Sequence, residues 1–586
     1  MYRLCLALTL VTVAAGVSGQ SQTALTEPQR IADLDQIAGF FSKNYAPYER
    51  KRELFGFDLL RLNDWFRAIH KADDLAYEDV LVDYISSLKD AHSVVTFPSS
   101  FVAEIPIRLD IYDGRVLIDA IDRTALPLAQ YPFGVGDELI AFDGMPVRDV
   151  IASLQRYAEV GSPQLTDRVA ADLIPFRGQN FYPRAPEIGD TATLLIQLNG
   201  GARNTWVVPW FKSGTAITSQ GPVPSPGRQP YRLSGPPANP AGLSVESPAP
   251  RARGRATDDG VDDTLPAYME PLRPLLNASV PRGPEAVLNF GSKIPIYAPP
   301  PGFVLRRGAP SSDFFLTGTF PAAGRTIGFI RIPSFSPSST SVALQQLDQE
   351  IAFFNANTDG LVIDVMRNPG GFLVFCENIA ARLMPAPFRT VGYEVRATAT
   401  WVTQFGNALE AAQLGGAPPQ VIANLQANFN AVLAAYNEER GRSTPVALNA
   451  FGSLTVSPAA VRYTKPLLVL VDGFTASAGD QFAAIIQDNG RAPLFGMRTM
   501  GAGGSVRSYA AVAYTEATLS VTVSLMNRGR VIQTPDYPPT PFIENVGVRP
   551  DIVNDYMTRQ NLMTGGVPFM QAFTAAIVGL IQGGGS

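Results

Sequence analysis

Two stretches with the same pattern decide the fold: GLVIDVMRNPGG at residues 360–371 and LLVLVDGFTASAGDQFAAIIQDN at residues 467–489. Each begins with a short apolar run, continues into a loop of small and polar residues, and leads into a helical pattern. Apolar strands without polar alternation are typical of sheets covered on both faces, and such strands alternating with helices are usually parallel. The sequence therefore predicts an α/β domain with a central parallel sheet and flanking helices.

The regions outside these stretches differ in pattern. Apolar residues recur at helical spacing from about residue 25 to residue 88, and short runs with turn signals follow Phe97. Prolines concentrate at residues 222–250, a composition for which we expect too little buried apolar surface to order the chain. We predict a signal peptide at 1–19, a helical region at 20–100 carrying His92, a β-rich domain at 101–212, a proline-rich linker at 213–310, and the α/β domain at 311–586 with a helical insertion at about 395–450.

Composition limits the partners and the location. The chain has 586 residues, of which 46% are hydrophobic and 17% charged, as expected of a folded multi-domain protein. A formal charge of -5 offers no positive surface for nucleic acid. Residues 1–19 place Arg3 before an apolar stretch and small residues, which is typical of a secretory signal peptide. No later window is apolar enough to span a membrane. We expect a secreted or periplasmic protein whose one remaining thiol is Cys376.

The loop after the strand at residues 467–471 presents a candidate nucleophile, Ser477. It is flanked by small residues at a predicted helix N-terminus, where the N–H of Ala478 would have no intrahelical acceptor and could stabilise an oxyanion. Gly370 and Gly371 in the other loop could supply a second donor, because glycine lets the backbone approach a substrate closely. On the residues alone, Ser477 could also be a helix N-cap and the glycines a turn.

A nucleophilic serine needs a base, and the sequence offers few. Lys465 is the last lysine of the chain, and it lies at the other end of the strand that leads to Ser477, about 16 Å away. Of the two histidines, His70 lies on a predicted helix, and we expect it to be a surface residue. His92 lies in a junction between helical and extended segments, and its ordinary pKa suits a general base. A junction histidine bonded to backbone is the alternative interpretation.

A carboxylate should orient the imidazole. Glu544, beside an apolar run, is the preferred candidate, and Asp488, Asp536 and Asp551 are alternatives. Neither histidine has a second histidine four residues away, and no cluster of cysteines lies near either of them in the sequence. We therefore expect no metal and no cofactor.

Four ordered motifs resemble the C-terminal processing, or tail-specific, serine peptidases, which have a ClpP/crotonase-like fold. The motifs are TIGFIRIPSF (326–335), LVIDVMRNPGG (361–371), TASAGDQFAAIIQDNGRAPLFGMRTMGAGG (475–504) and IENVGVRPDI (543–552). The resemblance places the nucleophile on Ser477 and the oxyanion donors on Ala478 and the Gly370–Gly371 turn. Typical bacterial members have a catalytic lysine where this chain has Ala502, so the ordinary serine–lysine dyad is excluded.

The sequence instead resembles the branch that includes tricorn protease and the chlamydial protease-like activity factor, which uses serine, histidine and glutamate. In that branch the histidine comes from a distant N-terminal segment, and DAHSVVTF (90–97) carries His92 in the matching context. GVGDELIAFDGMPV (134–147) resembles a PDZ core segment. The resemblance implies a peptidase with a Ser477, His92 and Glu544 triad, acting on proteins or peptides.

Two alternatives belong to other classes. A binding protein that has lost catalysis on the same scaffold is one, and labelling of Ser477 by a fluorophosphonate would separate it from an enzyme. A lipase or esterase is less well supported, because its nucleophile elbow needs glycine where Thr475 stands. The sequence leaves both a monomer and a homodimer open.

Overall fold

The computed structural model describes residues 24–217, 290–509 and 512–583. The predicted signal peptide and most of the predicted proline-rich linker lie outside these ranges. None of the described helices combines the length and the apolar character needed to cross a membrane.

Helices form the N-terminal region. Helix α1 begins after Thr26, whose backbone N–H donates to the side chain of Gln29 in a capping box. Helix α4 begins after Asp73, whose carboxylate accepts from the N–H of Ala76 at 2.7 Å. The four helices are α1 (Glu27–Asn44), α2 (Tyr48–Phe55), α3 (Asn63–Ile69) and α4 (Asp74–Ser86).

The chain then forms a short strand, β1 (Val94–Thr96), and a β-rich domain. The main sheet of this domain runs in the order β3-β4-β5-β8-β9, and β6 pairs with β5. The strands of the whole domain are β2 (Val102–Glu104), β3 (Ile107–Tyr112), β4 (Arg115–Ile121), β5 (Glu138–Phe142), β6 (Met145–Pro146), β7 (Phe176–Gly178), β8 (Thr191–Gln197), β9 (Arg203–Pro209) and β10 (Phe211–Ser213). Its helices are α5 (Val147–Ala158), α6 (Pro163–Leu173) and a 3-10 turn (Ala185–Glu187).

A seven-stranded sheet in the order β11-β12-β13-β14-β18-β19-β24 carries the α/β domain, and its strands from β13 onward are parallel. The strands are β11 (Val304–Arg307), β12 (Leu316–Ala322), β13 (Arg325–Arg331), β14 (Gly360–Asp364), β18 (Leu467–Val471), β19 (Leu494–Gly496) and β24 (Ile552–Val553). Strand β18 has the predicted bounds. The predicted parallel sheet is therefore confirmed, although β11 lies inside the range predicted as linker, where flanking prolines and glycines hid a short edge strand.

Burial on both faces explains the apolar strands. Leu468 and Leu470 of β18 pack into a cluster with Phe573 of the C-terminal helix, whereas Val469 and Val471 face the other side of the sheet. The helices of the domain are α7 (Thr340–Asn357), α8 (Leu373–Ala381), α9 (Ala399–Leu414), α10 (Pro419–Asn437), α11 (Ala478–Asp488), α12 (Arg559–Thr564) and α13 (Val567–Gly583). Helices α9 and α10 occupy the region predicted as a helical insertion.

The remaining strands form small sheets, one of which binds the N-terminal region to the α/β domain. They are β15 (Phe388–Arg389), β16 (Gly392–Val395), β17 (Thr455–Val456), β20 (Val506–Tyr509), β21 (Thr518–Thr522), β22 (Ser524–Ile532) and β23 (Thr540–Phe542). Strand β1 pairs antiparallel with β21, with Val94 opposite Ser520. This pairing fixes His92, two residues before β1, against the α/β domain.

Candidate active site

Ser477 lies at the turn between β18 and α11. Its backbone has φ 57° and ψ −115°, a left-handed conformation that is uncommon for a residue with a side chain. Ser477 is 3% exposed, and it is the N-cap of α11. A strained residue between a strand and a helix N-terminus fits a serine presented for chemistry.

Asp480 holds this turn in place. One of its oxygens, Oδ2, accepts from the backbone N–H of Ser477 at 2.8 Å and of Ala502 at 3.2 Å. The other, Oδ1, accepts from the hydroxyl of Thr499 and from the N–H of Gly501 at 3.0 Å. Burial raises the pKa of Asp480 to about 6, although these donors oppose the rise. Asp480 thus joins Ala502 to the Ser477 turn.

The loop after β14 packs directly on the serine. The carbonyl of Asn368 accepts from the N–H of Ala476 at 2.9 Å, which joins the two predicted loops. Gly370 has φ 94°, and a Cβ placed there would lie 2.6 Å from Cβ of Ser477 and 2.8 Å from the nitrogen of Ala478. Only glycine allows this approach.

The three predicted oxyanion donors are not equivalent. The N–H of Gly370 donates to Oδ1 of Asn368 at 2.8 Å, so it is already engaged. Within the described ranges, the N–H groups of Gly371 and Ala478 donate to no protein acceptor. Ala478 opens α11, where backbone N–H groups and the helix dipole favour negative charge. These two N–H groups are therefore open to a substrate oxygen.

His92 is completely buried beside Asp90. Burial lowers the pKa of His92 to about 4, the charge of Lys51 lowers it further, and Asp90 opposes the shift. Asp90 accepts from the backbone N–H of His92 at 2.8 Å, from the hydroxyl of Tyr45 at 2.7 Å and from the hydroxyl of Thr522. Although burial alone would raise the pKa of Asp90, the charges of Lys51 and His92 and the hydroxyl of Tyr45 lower it.

Glu544 is also buried, at 1% exposure. One of its oxygens accepts from Nζ of Lys51 at 2.5 Å, and the other accepts from the N–H of Gly503 at 2.9 Å. Burial and the nearby charge of Asp90 raise the pKa of Glu544, whereas Lys51 and the N–H of Gly503 oppose the rise. His92, Asp90, Lys51 and Glu544 thus form one buried cluster of ionisable groups, which we call the histidine cluster.

One loop connects the histidine cluster to the serine. Residues 499–503 bind Asp480 and hence the Ser477 turn at one end, and Gly503 binds Glu544 at the other.

The three alternative carboxylates predicted from the sequence form contacts with other residues. Asp488 pairs with Arg528 and Arg530, Asp536 pairs with Arg549, and Asp551 accepts from the N–H of Leu494 at 2.8 Å. His70 is exposed and contacts Glu27.

Sequence reasoning missed three residues of this site: Asp480, Asp90 and Lys51. The Ser-x-x-Asp spacing of a capping box could have pointed to Asp480. Asp90 lies two residues before His92, in the same motif. No signal in the sequence pointed to Lys51, because its role depends on contacts with residues almost five hundred positions away.

Two regions of the chain match known domain families. Peptidase family S41 matches residues 326–553, and a PDZ domain matches residues 102–193. A protein of Chlamydia trachomatis serovar D is 25% identical over 592 residues, covering 93% of this chain and 92% of that protein. The carboxyl-terminal-processing protease of a Synechocystis species is 28% identical over 183 residues, covering 31% of this chain and 29% of that protease.

A solved structure shows the same fold over nearly the whole chain. Mature CPAF complexed with lactacystin superposes with a TM-score of 0.72 at 23% identity, covering 95% of this chain and 99% of that one. The predicted combination of a peptidase sheet and a PDZ domain is confirmed. Residues 326–553 therefore form a peptidase family S41 domain, and the chain is a serine peptidase with a PDZ domain and the fold of mature CPAF.

Proposed function

We propose that this chain is a secreted or periplasmic endopeptidase that cleaves peptide bonds through an acyl-enzyme, with Ser477 as nucleophile, His92 as base and Glu544 as the supporting carboxylate. One observation carries the proposal. Ser477 adopts a strained conformation at the start of α11, beside the open N–H of Ala478, and a single loop links its turn to the histidine cluster. The leader-like sequence of residues 1–19 supports export.

Acylation begins when Oγ of Ser477 attacks the carbonyl carbon of the scissile bond. The hydroxyl proton passes to His92, whose imidazole is neutral at neutral pH because its pKa is lowered to about 4. The carbonyl oxygen becomes an oxyanion, and the N–H groups of Ala478 and Gly371 stabilise it. When the tetrahedral intermediate collapses, the C–N bond breaks and His92 returns the proton to the leaving amine.

Deacylation repeats these steps with water. His92 takes a proton from the water molecule as its oxygen attacks the ester carbonyl, and the second tetrahedral intermediate forms in the same oxyanion site. The bond to Oγ then breaks, His92 gives the proton back to Ser477, and the acid product leaves. In both halves an ionised Glu544 would stabilise the transient imidazolium of His92, since opposite charges attract strongly in a buried site.

Substitution of the serine tests this function. We expect Ser477→Ala to abolish hydrolysis of an unfolded protein substrate and to prevent labelling by a fluorophosphonate. The exposed Ser338 offers a matched control, since Ser338→Ala should retain both activities. Because a structure of mature CPAF has been solved in complex with lactacystin, we also expect lactacystin to slow fluorophosphonate labelling of this chain.

Two results would contradict the proposal. Full turnover by Ser477→Ala would assign the nucleophile to another residue. A wild-type protein that binds peptides, cleaves none and resists fluorophosphonate labelling would instead be a binding protein on a peptidase scaffold.

A further inference from the structure

Lys51 of α2 is a buried cation that no motif predicts. Its side chain is 1% exposed, and its partner Glu544 is equally enclosed. An ammonium removed from water is unfavourable unless an opposite charge and hydrogen-bond acceptors compensate for the lost hydration. A buried lysine beside a candidate catalytic carboxylate therefore needs a specific explanation.

Every proton of the Lys51 ammonium has an acceptor. Nζ donates to Oε1 of Glu544 at 2.5 Å, to Oδ1 of Asn545 at 2.7 Å and to the carbonyl of Lys89 at 2.7 Å. A lysine ammonium has three protons, so this set is complete. The side-chain amide of Asn545 also donates to the carbonyl of Lys89 at 2.8 Å, which closes a ring of polar contacts. Lys51 thus ties the segment before His92 to the segment that carries Glu544.

Lys51 also compensates the charge of two carboxylates. Asp90 and Glu544 are both buried, and each feels the charge of Lys51. Without a nearby cation, two buried carboxylates that interact cannot both stay ionised at neutral pH. Lys51 supplies that cation. Its hydrogen bond to Oε1 also fixes the orientation of the Glu544 carboxylate.

We infer that Lys51 is a positioning residue for catalysis, which orients Glu544 in the histidine cluster and favours its ionised form. This inference rests on the proposed function, because it assigns Lys51 to the support of the proposed triad. It differs from the serine–lysine dyad, since Lys51 contacts the carboxylate and takes no proton from Ser477.

The inference predicts a change in pH dependence. Besides the N–H of Gly503, the titratable groups that act on Glu544 are Lys51 and Arg50 of α2, Asp90 before β1, Tyr45 after α1, and Tyr537 before β23. Removing the charge of Lys51 leaves burial and Asp90 to hold Glu544 protonated. The pKa of Glu544 then rises further, and the carboxylate forms only at higher pH. The acidic limb of kcat/KM must therefore move to higher pH.

The test compares Lys51→Met with Lys43→Met, a control that removes an exposed lysine from α1. We expect Lys51→Met to lower kcat/KM at pH 7 by about 10-fold to 100-fold, to recover part of this loss as the pH rises, and to move the acidic limb by at least about one pH unit. Lys43→Met should follow the wild-type profile. A Lys51→Met profile with an unchanged acidic limb would overturn the inference.

A double-mutant cycle separates positioning from a general loss of structure. If Lys51 acts through Glu544, Lys51→Met should have little further effect on kcat in a Glu544→Gln background. Equal losses in both backgrounds would show an independent structural role. If Lys51→Met alone does not fold, comparing the double variant with Glu544→Gln still tests whether Lys51 has an effect of its own, because the double variant removes both charges of the pair.

The two proposals fail in different ways. Turnover by Ser477→Ala would overturn the proposed function, whatever Lys51→Met does. An inactive Ser477→Ala together with an unchanged pH profile in Lys51→Met would overturn only the role of Lys51.

Discussion

The complete burial of His92 keeps its imidazole neutral at neutral pH. Its pKa is lowered to about 4 by burial and by the charge of Lys51, against the opposing effect of Asp90. A neutral imidazole can accept the proton of a serine hydroxyl, whereas an imidazolium cannot. The burial that keeps His92 neutral also makes the stability of the folded protein sensitive to acid.

The pH dependence of stability follows from this shift. Because the pKa in the folded state lies below the ordinary value of 6.5, the unfolded state binds a proton more readily. The stabilising contribution is present above pH 6.5 and is lost as the pH falls toward 4, and it amounts to about 3 kcal/mol when lost in full. We expect His92→Gln to flatten the dependence of the unfolding free energy on pH in this window, as measured by urea unfolding.

His70→Gln is the matched control for that measurement. His70 is exposed, and its contacts with Glu27 raise its pKa, so its substitution should leave the slope between pH 4 and pH 6.5 close to that of the wild type. Parallel curves for His92→Gln and the wild type would show that His92 is not kept neutral by burial.

The Ser477 turn shows how far local sequence can predict a site. An apolar strand, a loop of small residues and a helical pattern are enough to predict the strand and the helix on either side of Ser477. The pairing of β1 with β21 could not be predicted, because it joins residues more than four hundred positions apart. Local patterns contain no information about such a pairing, so the position of His92 near the peptidase domain rested on resemblance alone.

Gly370→Ala tests the close packing of the two loops. The added Cβ would lie 2.6 Å from Cβ of Ser477, and alanine rarely adopts φ 94°, so the loop must move away from the serine. A displacement of about 1 Å in a catalytic group can lower a rate by about 100-fold. We expect a loss of about that size in kcat, measured on a short peptide substrate at a temperature well below unfolding.

Gly416→Ala separates this effect from backbone strain. Gly416, between α9 and α10, has φ 64°, and an added Cβ there would meet nothing within 4 Å. The substitution Gly416→Ala should therefore lower the stability of the protein slightly and leave kcat unchanged. If Gly370→Ala behaves in the same way, the packing of Gly370 on Ser477 has no catalytic consequence.

Across the whole molecule, buried charges connect the PDZ domain to the peptidase domain. Asp110 of β3 accepts two hydrogen bonds from Arg168 of α6, each 2.8 Å long, and lies 3.5 Å from the guanidinium of Arg367. Arg367 opens the loop that ends in Gly370 and Gly371, and its backbone N–H donates to Asp472 at 2.8 Å. The sequence predicted both domains but not this contact, because each charge looks like a surface residue when its partner is unknown.

Asp110→Asn should therefore affect both stability and catalysis. The substitution leaves the buried guanidinium of Arg367 and the partly buried guanidinium of Arg168 with less compensating charge. Loss of one partner from a buried ion pair destabilises proteins by about 3 kcal/mol or more. We expect a lower unfolding temperature and, well below that temperature, a reduced kcat, since Arg367 anchors the loop that packs on Ser477. Asp149→Asn, which changes an exposed carboxylate on α5 of the same domain, should change neither quantity. If Asp110→Asn is destabilised but keeps the kcat of the wild type, the contact between the two domains contributes to stability only. The position of the active-site loop would then not depend on that contact.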